Sequence, residues 1–282
     1  MNSFSQSELS ARTKQKINIA SNEVHLWMTK PEELLGDDGL LASYQALLTP
    51  SELEKQQRYK FAKDRHDALV TRAFIRDLLS YYDDVAPQDW QFEKGAKDKP
   101  EVVNCSIPLR FNISHTKSLI ICAVTLENDI GCDVENTGRS NNVLAIAGRY
   151  YSQQENLELF ELPTHQQHDR FYDYWTLKEA YIKAWGLGLS IPLVDYSFKI
   201  NDDMDYYKEY FAIKNDINLS FAEHREDKAN IWRNWLFYPT VKIDEKQEHR
   251  LAISLRSTND NQDTEYKFRF FNTLPLLGYQ EL

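Results

Sequence analysis

Cysteine is scarce in this chain: Cys105, Cys122 and Cys132 are an odd number with no Cys-x-x-Cys spacing. That argues against a disulfide framework and a structural zinc site. Cys122 and Cys132 alternate into apolar runs and read as small buried hydrophobes in a reducing cytosol. Glycine and proline number nine each in 282 residues, too few for a long flexible linker. No run of 18 apolar residues occurs, so no helical membrane span is expected. The first sixteen residues, MNSFSQSELSARTKQK, lack the apolar stretch of a secretory signal and read as a loose polar lead-in. A cytoplasmic chain without a membrane partner is the expectation. Positive charge is also short, with 33 Lys and Arg against 43 Asp and Glu, a net of −10. Such a chain is a poor general nucleic-acid binder, and no nucleic-acid partner is expected.

Large side chains are plentiful. Aromatics reach 13%, with 16 Tyr and 6 Trp, and they are expected to dominate the core and a cleft. A chain of this length forms a core without staples. The charge is uneven. Lys55, Arg58, Lys60, Lys63, Arg65, Arg72 and Arg76 stand against only Asp64 and Asp67. That stretch reads either as a solvated helix face or as a local anion site, since local field rather than net charge attracts a phosphate.

Residues 17–30 read as a strand, and 40–48 as a short helix. Thr49-Pro50-Ser51-Glu52 is a helix start, with Thr as cap and Pro at the first helical position. That helix is expected to run to about Phe61, and a second one from about Lys63 to Tyr82. The period then changes. Arg110–Ser114, Ser118–Leu126 and Ile130–Val134 are short runs rich in Ile and Val. Glu127-Asn128-Asp129 predicts an antiparallel hairpin between the last two. NTGRSNN at 136–142 is the best candidate boundary. Beyond it, 143–151, 153–162 and 169–185 read as helices, the last stopped by Gly186 and Gly188. The remainder, 197–274, is strand-rich. The fold class is therefore α+β. Two similar lobes are expected, 1–137 and 138–282, although no internal repeat shows a duplication.

Asp133 and Glu135 lie two apart on a predicted strand, so both side chains share a face and Val134 points the other way. Such a pair serves either a solvated strand edge or a hard divalent cation with oxygen ligands. Glu179 and Lys183 lie four apart on the long helix. They are either a surface ion pair or, beside Trp175, Tyr181 and Trp185, part of a phosphoryl-transfer site. Ser114 and His115 end a strand. His115 reads either as a structural residue or, with Ser114, as a hydrogen-bond partner for a phosphate; no acid lies at triad-like spacing from it, although a triad is set in space rather than in sequence.

FNISHT at 111–116, GCDVE at 131–135 and WTLKEAYIKAWGLGLSIPL at 175–193 stand in an order and spacing that resembles the phosphopantetheinyl transferases, in particular the larger Sfp-like class. That family reads roughly FNISHS, GxDxE and WxxKExxxKxxGxGL. Thr116 and Cys132 depart from it, and neither removes an oxygen ligand. The resemblance covers about residues 50 to 200. It implies two similar α+β lobes in one monomeric chain, with the site in the cleft between them. It implies transfer of 4′-phosphopantetheine from coenzyme A to a serine of an acyl, polyketide or peptidyl carrier protein. Adenosine 3′,5′-bisphosphate is the other product.

The resemblance also assigns residues. Asp133, Glu135 and Glu179 match Mg²⁺ ligands, with Glu179 or a metal-bound water as the base. Lys183 matches the lysine at the pyrophosphate, and Ser114 and His115 match coenzyme A contacts. Lys99 falls in a Gly-Lys-Pro-like position in which Asp98 replaces Gly. Lys55 matches a basic coenzyme A contact, Glu52 stands where a second is expected, and Arg58 or Arg65 is expected to compensate. Two other readings stay open on these residues: a metal-dependent phosphohydrolase, and a non-catalytic protein that binds coenzyme A or a carrier.

Overall fold

The computed structural model describes residues 12–95, 99–139, 142–186, 190–215, 217–257 and 264–282. The expected lead-in therefore falls largely outside the described residues, as do Asp98 and Gly188. Strand β1 (Glu23–Thr29) is followed by helices α1 (Asp38–Leu47), α2 (Pro50–Gln57) and α3 (Ala62–Leu79). Short strands β2 (Phe92–Lys94) and β3 (Pro100–Val102) pair with each other. Next come β4 (Leu109–His115), β5 (Ile120–Leu126) and β6 (Asp129–Asn136). Helices α4 (Val143–Tyr150), α5 (Gln153–Glu161) and α6 (Thr164–Trp185) follow. Then come β7 (Tyr196–Lys199), β8 (Asp205–Tyr207), β9 (Phe211–Lys214) and β10 (Asn218–Phe221). The last strands are β11 (Trp232–Pro239), β12 (His249–Arg256), β13 (Lys267–Leu274) and β14 (Gly278–Glu281). Among the described residues no helix is long and apolar enough to cross a membrane.

Local chemistry explains the helix starts. The Glu52 amide donates to Thr49 Oγ1 at 3.3 Å, and the Thr49 amide donates to Glu52 Oε2 at 3.0 Å, a reciprocal capping box that starts α2 at Pro50. The helix ends at Gln57, short of the expected Phe61. There Arg65 Nη1 donates to the carbonyls of Tyr59 and Lys60 and fixes the turn into α3.

Two sheets organise the chain, in the orders β14-β13-β1-β5-β4 and β6-β12-β11-β9-β8. In each, the leading strand (β1 or β6) precedes a set of helices. It then pairs antiparallel with the second strand of a later antiparallel pair, β4–β5 or β11–β12. This repeated order gives the two similar α+β lobes. The sheets pack face to face. Leu26, Ile121 and Ala123 of the first meet Cys132, Val134 and Ile253 of the second in one buried core. Residues of opposite parity, such as Trp27 and Cys122, face Phe74 and Leu78 of α3. Leu236 and Ala252 likewise face Leu177 and Ala180 of α6. The result is four layers, helix–sheet–sheet–helix.

Two expectations are corrected. β5 and β6 do not form a hairpin: β4 and β5 do, while β6 pairs along its length with β12. Glu127 takes a positive φ of 62° and turns the chain from one sheet to the other. There the apolar residues of both strands bury against each other across the sheets rather than side by side. The strands accordingly do not divide at residue 137. β6 belongs to the second sheet, and β13 returns to the first, where it runs parallel to β1.

Candidate active site

Alternation along β6 sets the site. Ile130, Cys132 and Val134 enter the core between the sheets. Gly131, Asp133 and Glu135 therefore face α6. A Cβ built on Gly131 meets Ala180 O at 2.0 Å and Ala184 N at 2.3 Å, so helix and strand lie in backbone contact there. That approach brings the α6 stripe Trp175, Glu179 and Lys183 over the β6 carboxylates. The end of β4 supplies Ser114 and His115. A face of α3 with Asp67, Thr71 and Arg72 forms the other side, and the open cleft between them measures about 720 Å³.

Asp133 is the hub. Lys183 Nζ lies 2.5 Å from Asp133 Oδ1. Ser114 Oγ donates to the same oxygen at 2.8 Å and accepts from Lys183 Nζ at 2.8 Å. Asp133 Oδ2 is buried with no hydrogen-bond partner in the protein. Glu135 accepts from Trp175 Nε1 at 3.2 Å, and Arg139 Nη1 lies 3.6 Å from its other oxygen. Burial first, and then the charge of Asp133, push Glu135 up to about 7. The same two causes raise Glu179 above the usual carboxylate range. Burial pulls Lys183 down, but the Asp133 carboxylate outweighs it, so the ammonium stays charged. Burial, and then Lys183, hold the His115 imidazole below its ordinary value.

The donor set fits a hard cation. Glu135 and Glu179 are crowded by the charge of Asp133, and a buried carboxylate oxygen without a donor calls for one. The shell is not preassembled: among the described residues no group of three or more His, Cys, Asp and Glu is placed to hold a metal ion. Lys183 occupies the near oxygen of Asp133 instead.

The cleft thus brings together Ser114, His115, Asp133, Glu135, Glu179 and Lys183. Other expected contacts lie elsewhere. Lys99 Nζ donates to Ile130 O at 3.1 Å and Ala184 O at 3.2 Å, clamping β6 to the end of α6. It lines a separate recess of about 300 Å³. Lys55 is exposed at the end of α2, and Arg58 pairs with Glu54 at 2.6 Å on the surface. Arg65 is spent on the Tyr59 and Lys60 carbonyls. Glu52, where a second basic contact was expected, accepts from Arg76 at 2.7 Å. Besides Lys183, the cations that line the cleft are Arg72, Lys117 and Arg139. Arg72 belongs to the basic stretch read from the sequence as a possible anion site, and it shares the cleft-facing side of α3 with Asp64, Asp67, Ala68 and Thr71. No local pattern singles out Arg139, which reaches Thr116 Oγ1 at 3.2 Å across the cleft.

Residues 129–254 match the family model described as the 4′-phosphopantetheinyl transferase superfamily. Residues 38–127 match the one described as 4′-phosphopantetheinyl transferase, N-terminal. The chain is 32% identical over 179 residues to the 4′-phosphopantetheinyl transferase HetI of Nostoc sp., covering 62% of this chain and 73% of that one. It is 31% identical over 160 residues to the 4′-phosphopantetheinyl transferase Sfp of Bacillus subtilis, covering 57% and 70%. It is 28% identical over 257 residues to the human L-aminoadipate-semialdehyde dehydrogenase-phosphopantetheinyl transferase, covering 82% and 78%.

Proposed function

The chain belongs to the 4′-phosphopantetheinyl transferase superfamily, and we propose that Asp133, Glu135, Glu179 and Lys183 run its reaction in the cleft between the lobes. The enzyme transfers 4′-phosphopantetheine from coenzyme A to a serine of a carrier protein. The observation that supports this site is Asp133, with one oxygen on Lys183 and Ser114 and the other buried and free.

The carrier serine oxygen attacks the β-phosphorus of coenzyme A, and the bond to the α-phosphate oxygen breaks. Glu179 takes the serine proton through the carboxylate oxygen it leaves free of the cation. Lys183 stays cationic and stabilises the charge that develops on the departing α-phosphate. Ser114 is no nucleophile here; it holds Lys183 and Asp133 in register. His115, Arg72 and Arg139 line the cleft and orient the phosphates. Asp133, Glu135 and Glu179 would hold Mg²⁺, which supplies charge neutralisation at the pyrophosphate. Acyl, polyketide and peptidyl carriers all offer the required serine. Both walls of the cleft come from one chain, which supports a monomer, and cytoplasmic action is part of the same reading.

Intact-protein mass spectrometry tests it. With coenzyme A and Mg²⁺, an apo-carrier should gain one phosphopantetheine, and EDTA should abolish the gain. Coenzyme A consumed without carrier labelling would instead mark a phosphohydrolase, and binding without turnover a non-catalytic protein.

A pH dependence follows from Glu135. Protons compete with a cation for a carboxylate whose pKa lies at about 7. Mg²⁺ affinity should therefore rise as pH increases through about 7 and level off above it. Calorimetric titration of the apoenzyme with Mg²⁺ at pH 6 and pH 8 checks this, and Glu135→Gln should flatten the difference. Equal affinity of the native protein at both values would count against Glu135 as a ligand.

A further inference from the structure

A second cavity, of about 520 Å³, lies on the far side of the turn that joins β4 to β5. Ser118 on that turn faces His249, the first residue of β12: Ser118 Oγ is 2.9 Å from His249 Nε2. His249 Nδ1 is 2.8 Å from Asp244 Oδ2, in the connection from β11. Asp244 is itself pinned by backbone. Its Oδ2 accepts from the Glu248 amide at 2.6 Å and the His249 amide at 3.0 Å, and its Oδ1 accepts from the Lys246 amide at 3.2 Å.

A carboxylate only accepts, so Nδ1 carries the hydrogen, and Nε2 is the ring nitrogen that faces the Ser118 hydroxyl, accepting from it whenever the ring holds a single proton. His249 and Asp244 are 8% and 9% exposed, while Ser118 is half-buried on the cavity wall. Nucleophile, base and orienting acid thus stand in hydrogen-bonded order, with the nucleophile nearest solvent. Lys117, the neighbour of Ser118, brings an exposed cation to the same wall. None of the three residues lines the transferase cleft.

We propose that Ser118, His249 and Asp244 form a second nucleophilic centre, which takes the acyl group of a small carboxylic ester or thioester. The Ser118 proton passes to His249 Nε2 as Oγ bonds to the carbonyl carbon. The carbon–oxygen or carbon–sulphur bond of the donor breaks, and the leaving alcohol or thiol takes the proton from His249. Water, deprotonated by the same imidazole, then attacks the acyl-serine, returns Ser118 and releases the carboxylic acid. Lys117 offsets charge on the carbonyl oxygen.

The test uses the full-length protein, a fluorophosphonate probe and 4-nitrophenyl acetate, with no coenzyme A, so its result is independent of the transferase reading. One phosphonyl group should appear on the native protein, mapped to Ser118, and should not form on urea-unfolded protein. Ser118→Ala should abolish the label, and His249→Gln should slow both labelling and ester cleavage by about a hundredfold or more. Melting curves of the variants identify loss through unfolding. A folded native protein that leaves Ser118 unlabelled would overturn the proposal, and so would a folded His249→Gln variant that labels at the native rate. In either case the hydrogen-bonded chain merely pins the turn.

Discussion

Asp133→Asn should lower carrier-labelling turnover by roughly two to three orders of magnitude, as loss of a positioned electrostatic group does in other enzymes. The substitution keeps volume and an acceptor oxygen, so Ser114 retains its partner. What is lost is charge. Lys183 owes its raised pKa chiefly to the Asp133 carboxylate, against a burial that pulls it down. With that carboxylate neutral, the half-buried ammonium is weakened just where it must meet phosphate. The unpartnered Oδ2 also becomes either a neutral acceptor or an amide donor, and neither suits a hard cation. Glu135 and Glu179, raised first by burial and then by the Asp133 charge, should move part of the way back down. The loss should fall on kcat more than on KM, because other cleft residues still hold the coenzyme A phosphates. Initial rates from intact-mass spectra, with melting curves as a folding control, decide the matter. Near-native turnover in a folded variant would remove Asp133 from the mechanism.

Gly131→Ala should be the most damaging single-methyl change on β6. The added carbon would stand 2.0 Å from Ala180 O, 2.3 Å from Ala184 N and 2.9 Å from Ala184 Cα. All three are backbone or Cα atoms of a helix, so no side chain can swing aside. The helix must move off the strand, and Glu179 and Lys183 must move with it. Overpacking of this kind costs about 3 kcal/mol or more, which for a chain of this size lowers Tm by roughly 6–12 °C. Activity should fall further than stability, since a shift of about 1 Å in a positioning group costs on the order of a hundredfold. Calorimetry and turnover measured below the new Tm separate the two effects. A variant with native Tm and native rate would mean that the β6–α6 contact is looser than the structure has it.

Much of the site was legible because strand and helix periodicity are local. The two-residue spacing of Asp133 and Glu135 placed them on one face, and the four-residue spacing of Glu179 and Lys183 did the same on α6. The Thr49–Glu52 cap also followed from adjacent residues. What could not be read depends on which sheet a strand joins. An apolar run such as β6 looks the same whether its neighbour lies beside it or across a sheet interface, so the hairpin with β5 was a fair reading that the chain does not follow. Lys99, Arg58 and Arg65 are cations of the kind a phosphate site needs, but their partners are backbone carbonyls or a surface acid, which sequence does not display. Arg139 reaches the cleft from a connecting segment, where no period applies.

The parallel pairing of β13 with β1 orders events during synthesis. β1 is made early, yet its second neighbour in the sheet lies some 240 positions further along the chain. At about 5–20 residues per second, a ribosome needs roughly 10–50 s to cover that distance. Through that interval one edge of β1 has no partner in its sheet, with Leu26, Trp27 and Met28 beside it, the kind of edge that recruits other chains. That edge of the first sheet closes only when residues 267–274 arrive.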